Sequence, residues 1–170
     1  MATIVKLQPC DNADAVFEVP HDVIKLSKTI DNMMEDLGEE SFNVVIPISS
    51  VTAKQLEKVI VFCTHHVEMG RQNIPNPDAE TEKGIETKPC VMNEWETEYC
   101  NIPQPDLFEL ILAANFLDIK PLLDLSCLAV ANMIKGKSPE EIRKTFNIKN
   151  DFTPEEEEKI RKENEWCEDV

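Results

Sequence analysis

The stretch from Pro105 to Gly136 constrains this chain most. Leu107 to Leu117 is apolar on almost every side, and Ile119 to Lys135 is a second apolar run, with Pro121 in its first turn and Gly136 as its stop. Proline in a first helical turn forgoes a donor that has no partner inside the helix, and glycine accepts the left-handed conformation that ends helices. A helix that is apolar all round has to be covered. The pattern therefore predicts two consecutive buried helices at the centre of the fold. With 170 residues, the chain can build one sizeable core, or a compact core with an appended subdomain.

The residues upstream supply the cover. Thr3 to Leu7 and Ala15 to Val19 are short β-prone runs separated by the turn-rich Pro9-Cys10-Asp11-Asn12, which predicts a hairpin ended by Pro20. A helical turn over Asp22 to Leu26 follows. Ser27 is placed to cap a helix over Lys28 to Leu37, with Ile30, Met33, Met34 and Leu37 at helical spacing and Gly38 just past its end. Phe42 to Ile46 reads as a third strand stopped by Pro47. Ser50 is expected to open a helix to about His66, with Leu56, Val59, Ile60, Cys63 and Val67 on one face. Gly70 to Cys90 is rich in proline and charge and poor in aliphatic residues, and is expected to be a mobile insertion. Trp95 and Tyr99 mark the return to packed structure. Few strands, all early, followed by many helices, indicate an α+β fold.

The residues beyond Gly136 are built differently. Ser138-Pro139-Glu140-Glu141 and Thr153-Pro154-Glu155-Glu156 each place a hydroxyl at the N-cap, proline at the first helical position and a carboxylate at the third. Both are capping boxes, and both predict a sharply started helix. From Glu155 to Glu165 the only large apolar residue is Ile160. That helix has little to bury; the spacing offers Glu155–Lys159, Glu157–Arg161 and Glu158–Lys162 as pairs worth about 0.2–0.5 kcal/mol each. Trp166 then closes the segment. It either packs back on the body or, with Phe146, Ile148 and Ile160, anchors a partner.

Charge and cysteines exclude several classes. Lys and Arg total 17 against 33 Asp and Glu, a formal charge of -16. Nucleic acid and anionic membranes require basic surfaces, so neither is expected as a partner. No stretch approaches the roughly 20 apolar residues that span a bilayer, and MATIVKLQPCDN has no basic region followed by an apolar one, so no secretory leader is expected. The six cysteines (10, 63, 90, 100, 127 and 167) show neither CxxC pairing nor compact spacing. Free thiols in a reducing compartment, the cytoplasm or nucleus, are the simplest account.

Catalytic chemistry is poorly supplied. Cys63-Thr64-His65-His66 is the nearest candidate, but it lacks the spacing of a tetrahedral metal site, and histidines near a helix C-terminus are explained by its negative pole. No glycine-rich phosphate loop exists among four glycines. The carboxylates of Glu155 to Glu158 point in different directions around a helix, so a solvated helix start fits them better than a cation site. No cofactor, metal or catalytic residue is expected. A small acidic enzyme using Cys63 or its neighbouring histidines stands as the rival from another class.

KGKSPEEIRKTFNIKNDFTPEEEEKIRKENEWCE closely resembles the C-terminus of the Skp family, the adaptors that join F-box proteins to cullins in SCF ubiquitin ligases. The similarity continues through Asp106 to Lys120, is weaker over Ile4 to Gly38 and Pro47 to His66, and is poor from about Met69 to Asn101. The resemblance implies a BTB/POZ fold over 1–135 with two additional C-terminal helices over 136–170 that form an F-box-binding extension. It implies a non-catalytic adaptor for ubiquitin-dependent degradation. The implied F-box groove is lined by Phe108, Leu123, Cys127, Val130, Phe146, Ile148, Lys149, Asn150 and Trp166, and Asn115 and Phe116 match cullin-contacting positions. Taken alone, Leu123 and Val130 also read as ordinary core, and Asn115 as an internally bonded core residue. Phe116 stands where tyrosine is usual in the family, Phe62 where tryptophan is frequent, and Leu128 where lysine is frequent. An empty groove of this kind is expected to support homodimers until an F-box arrives. In protist members the proline matching Pro154 is hydroxylated and then glycosylated, so the resemblance marks Pro154 as a modification site. An elongin-C-like adaptor is the rival on the same fold, and a transcription-factor BTB dimer a third, although no DNA-binding module follows.

Overall fold

The computed structural model describes residues 4–12, 14–38, 44–69 and 91–163. The Gly70–Cys90 insertion and Trp166 lie outside the described residues. The order is β1 (Ile4–Pro9), β2 (Phe17–Pro20), α1 (His21–Ile24), α2 (Lys28–Leu37), β3 (Val45–Ile48), α3 (Ala53–Glu68), α4 (Glu94–Cys100), α5 (Gln104–Phe116), α6 (Lys120–Ile134), α7 (Pro139–Thr145) and α8 (Pro154–Glu163). The α+β class is as expected. The chain divides into two compact units, Met1–Asn132 and Met133–Val170.

In the first unit the sheet order is β2-β1-β3. The hairpin forms as the alternation predicts, with Val5 opposite Val19 and Lys6 opposite Glu18. Val5, Leu7 and Val19 face inward, while Lys6 and Glu18 form a surface ion pair at 3.7 Å. The third strand corrects the expectation. It pairs parallel to β1, and it runs through Pro47 to Ile48, with Gln8 opposite Pro47. An edge strand has one row of backbone groups outside the ladder, and that is where proline is tolerated.

Helix α2 begins as expected: Ser27 Oγ accepts from the Ile30 amide at 3.3 Å. Helix α3 is capped by Thr52, not Ser50, through the Gln55 amide. Leu56, Val59 and Cys63 are buried on it, together with Gln55, Phe62 and His66, whereas Val67 is exposed. The face is rotated because aromatic packing replaces aliphatic packing near its end. The His65 and Trp95 rings stack 3.5 Å apart and nearly parallel, Trp95 stacks on Tyr99, and Phe62 lies against both. Tyr99 Oη donates to the Lys58 carbonyl at 2.9 Å. These contacts fasten α4 to α3 on either side of the insertion.

Helices α5 and α6 supply the centre of the core through Leu107, Leu110, Ala114 and Leu122, all 2% exposed or less. The expectation of a helix buried all round fails for α5, because Phe108 is 40% and Leu112 68% exposed. Its apolar residues exceed what one neighbouring layer can cover. Among the described residues no helix is long and apolar enough to cross a membrane.

In the second unit both capping boxes form. Ser138 Oγ accepts from the Glu141 amide at 3.3 Å while Glu141 Oε2 accepts from the Ser138 amide at 2.9 Å. Thr153 and Glu156 repeat the exchange at 3.4 and 2.9 Å. These bonds hold both glutamates below their ordinary carboxylate range, the backbone donor being the larger cause. None of residues 133 to 163 is buried among those whose side chains are described, which leaves aside Pro154 and Arg161. Of the surface pairs, Glu158–Lys162 forms at 2.9 Å as the spacing argument has it, while Lys159 lies 4.0 Å from Glu163; Glu157 accepts from Arg143 of α7 at 2.8 Å, and the expected Glu157–Arg161 pair falls on a side chain outside those described.

Candidate functional site: two uncovered surfaces

Helix α6 carries two unlike faces. Leu122, Leu125, Ser126 and Ala129 point into the core, and the Ser126 hydroxyl is satisfied by the Leu122 carbonyl at 2.7 Å. Leu123, Cys127 and Val130, at spacings of four and three, fall on the other side; Cys127 is exposed, and Leu123 and Val130 are half-buried. They are therefore not ordinary core. Leu128 is also half-buried. On α5, Phe108 and Leu112 stand one turn apart and exposed. Sequence alone does not single out Leu112, because an unbroken apolar run hides which residues face out, although its spacing of four from Phe108 places the two on one side.

Asn115 and Phe116 are adjacent at the end of α5. Asn115 is exposed, so it is not a core residue bonded internally, and Phe116 is half-buried. A Schellman closure ends the helix: the Ile119 amide donates to the Ala114 carbonyl at 2.9 Å and the Asp118 amide to the Asn115 carbonyl at 3.1 Å. Nearby, Lys54 Nζ meets Asp106 at 2.6 Å and Gln55 Nε2 donates to Glu109 at 3.0 Å, tying α3 to α5.

In the second unit a Schellman closure also ends α7. The Ile148 amide donates to the Arg143 carbonyl at 2.8 Å, with Asn147 at φ 52°. Asparagine is the residue after glycine best suited to this left-handed position. The reversal leaves Phe146 half-buried and sends Ile148, Lys149 and Asn150 to the surface, Ile148 at 55% exposure. Asn150 Nδ2 donates to Glu157 at 3.3 Å, the carboxylate that Arg143 also holds, and the Arg143 guanidinium lies 5.9 Å from the Phe152 ring centroid. A depression of about 430 Å³ opens between Arg143, Lys144, Ile148, Asn150 and Glu157. This linkage and the exposed Phe152 were not singled out from sequence. Pro154 is the first residue of α8.

Reactive groups are not assembled. Cys63 is fully buried, and burial pushes its thiol up to about 12. A nucleophilic cysteine needs the opposite shift. Burial, and then the Glu96 carboxylate, raise Cys100 to about 11. Among the described residues no group of three His, Cys, Asp or Glu side chains could hold a metal ion.

Residues 3–68 match the family model described as Skp1 family, tetramerisation domain, and residues 120–167 the model described as Skp1 family, dimerisation domain. The chain is 53% identical over 170 residues to the SCF ubiquitin ligase complex protein SKP1b of Dictyostelium discoideum, covering 98% of this chain and 97% of that one. The chain belongs to the Skp1 family. A Skp1-related protein of Caenorhabditis elegans is also 53% identical, covering 97% of this chain and 92% of its own. The suppressor of kinetochore protein 1 of Schizosaccharomyces pombe is 50% identical over 166 residues, covering 97% and 98%. A Skp1-family chain is a non-catalytic adaptor subunit, which disposes of the Cys63 enzyme as a reading. The BTB/POZ fold with additional C-terminal helices is that of the family.

Proposed function

We propose that this chain is the adaptor of an SCF-type ubiquitin ligase, holding a cullin on one surface and F-box substrate receptors on another. The single observation that carries the reading is the only partly covered apolar stripe of α6, Leu123, Cys127 and Val130, beside its buried face. With Phe108 of the first unit these residues receive aliphatic side chains of the F-box, and Phe146, Ile148, Lys149, Asn150 and Trp166 of the second unit are further F-box contacts. Asn115 and Phe116 contact the cullin. Phe116 contributes its ring but no hydroxyl, so a cullin hydrogen bond at that position has no donor here. The chain moves substrate close to a charged conjugating enzyme and forms no bond itself.

Size-exclusion light scattering of the chain, alone and with an F-box domain, tests the reading. The free chain is expected to self-associate through its uncovered surfaces, and the F-box to convert it to a one-to-one complex. Val130→Glu, at a half-buried position of that stripe, is expected to weaken that complex. An F-box domain that leaves mass and elution unchanged would overturn the assignment.

Pro154 is the proposed target of hydroxylation and then glycosylation. Its place at the start of α8, and 53% identity to two Dictyostelium relatives, support the proposal. Peptide mapping of native protein should find one added oxygen, or that oxygen bearing sugar, on Pro154; a wholly unmodified peptide would refute it.

A further inference from the structure

The last carbonyls of any α-helix have no donors within it. In α5 the Schellman closure accounts for Ala114 and Asn115, which leaves the carbonyls of Phe116 and Leu117. Both are met by the beginning of α2. Thr29 Oγ1 donates to the Phe116 carbonyl at 2.9 Å, Ser27 Oγ donates to the Leu117 carbonyl at 2.6 Å, and the Thr29 amide reaches the Leu117 carbonyl at 3.4 Å. The amino end of α2 therefore abuts the carboxyl end of α5. Spare donors face spare acceptors, and the positive pole of one helix faces the negative pole of the other.

The two hydroxyls do different work. Ser27 is fully buried and also caps α2 through the Ile30 amide, so its removal damages α2 itself. Thr29 is half-buried and its hydroxyl serves α5 alone among the bonds at this junction. Its bond falls on the carbonyl of Phe116, one peptide beyond Asn115. A last helical turn whose carbonyl has lost its donor is free to fray or to adopt other closures.

We propose that Thr29 is a positioning residue for the cullin-docking surface: its hydroxyl bond to the Phe116 carbonyl holds the last turn of α5, so that Asn115 and Phe116 are presented in one orientation. The inference rests on the reading of Asn115 and Phe116 as cullin contacts given above. Thr29 need not touch the cullin. Its effect passes through a backbone carbonyl, so the hydroxyl matters and the methyl does not.

The test uses the full chain, the N-terminal domain of a cullin and an F-box domain, with affinities for both measured by calorimetry. Thr29→Val keeps the shape and removes the donor; Thr29→Ser keeps the donor. Thr29→Val is expected to weaken cullin binding about fivefold, the effect of one hydrogen bond. Thr29→Ser should bind like the unsubstituted chain, and neither should alter F-box affinity. Combined with Asn115→Ala, Thr29→Val should cost less than the product of the separate losses, because both act on one contact. Unchanged cullin affinity in Thr29→Val, an equal loss toward the F-box, failure of serine to rescue, or strictly multiplicative losses would each overturn the proposal. Should Thr29→Val not fold, Thr29→Ala carries the same comparison. If Asn115→Ala and Phe116→Ala both bind the cullin normally, the docking assignment itself falls. If they weaken binding and Thr29→Val does not, only the positioning role falls.

Discussion

Asp118 and Asn147 are the non-glycine residues with positive φ among those described, at 48° and 52°, and each reverses the chain after a helix, close to candidate contacts. A β-carbon in that conformation costs about 1–2 kcal/mol, which a short polar side chain partly offsets. Asp118→Ala should lower the unfolding free energy by about 1 kcal/mol, whereas Asp118→Gly should not; urea denaturation of both checks this. Cys63 gives a second expectation. Its thiol stands at about 12 when folded against an ordinary 9.0. Below pH 9 both states are neutral and stability is unaffected; from pH 9 toward 12 only the unfolded chain ionises, so stability falls. Cys63→Ala should flatten that alkaline decline in urea midpoints, and an unaltered decline would contradict the assignment. Burial of Cys63 was legible from its helical spacing, as was the capping role of Ser27, because both follow from local pattern. The exposure of Asn115 was not: a polar residue in an apolar run reads equally as buried and bonded, and only the neighbouring layer decides.

Helix α5 shows where periodicity stops informing. A run that is apolar on every side has no face, so Leu110 and Leu112 look alike in sequence, yet one is fully buried and the other 68% exposed. Leu110→Ala should destabilise by about 2–5 kcal/mol and Leu112→Ala by less than about 0.5 kcal/mol, compared by denaturation midpoints. Similar costs for both would mean that α5 is oriented otherwise. The third strand teaches a related lesson. Proline reads as a strand stop because it cannot donate to a ladder, but Pro47 sits on an edge, and edge position is a property of the sheet. The start of α3 was misplaced by two residues because Ser50 and Thr52 are both competent caps. The capping boxes of α7 and α8 were legible outright, since each is complete within four residues.

Across the whole molecule the two units are stabilised unequally. The first has a continuous core; the second, over its described residues, buries nothing fully and is held by caps and by the Arg143–Glu157–Asn150 linkage. Segments with few buried contacts open at low free energy. In the free chain, amides of α7 and α8 should exchange with deuterium faster than those of α5 and α6, and should slow when an F-box domain is added. Equal protection in the free chain would refute this. The junction of α2 with α5 has a bearing on synthesis. Ser27 waits for an acceptor 90 positions later in the chain. At ribosomal speeds of about 5–20 residues per second, that delay is roughly 5–20 s. For that interval the Ser27 and Thr29 hydroxyls of a nascent chain are answered only by water, although the local cap on the Ile30 amide can already form, and a chaperone or an early proteolytic encounter would meet α2 in a form the finished protein never shows.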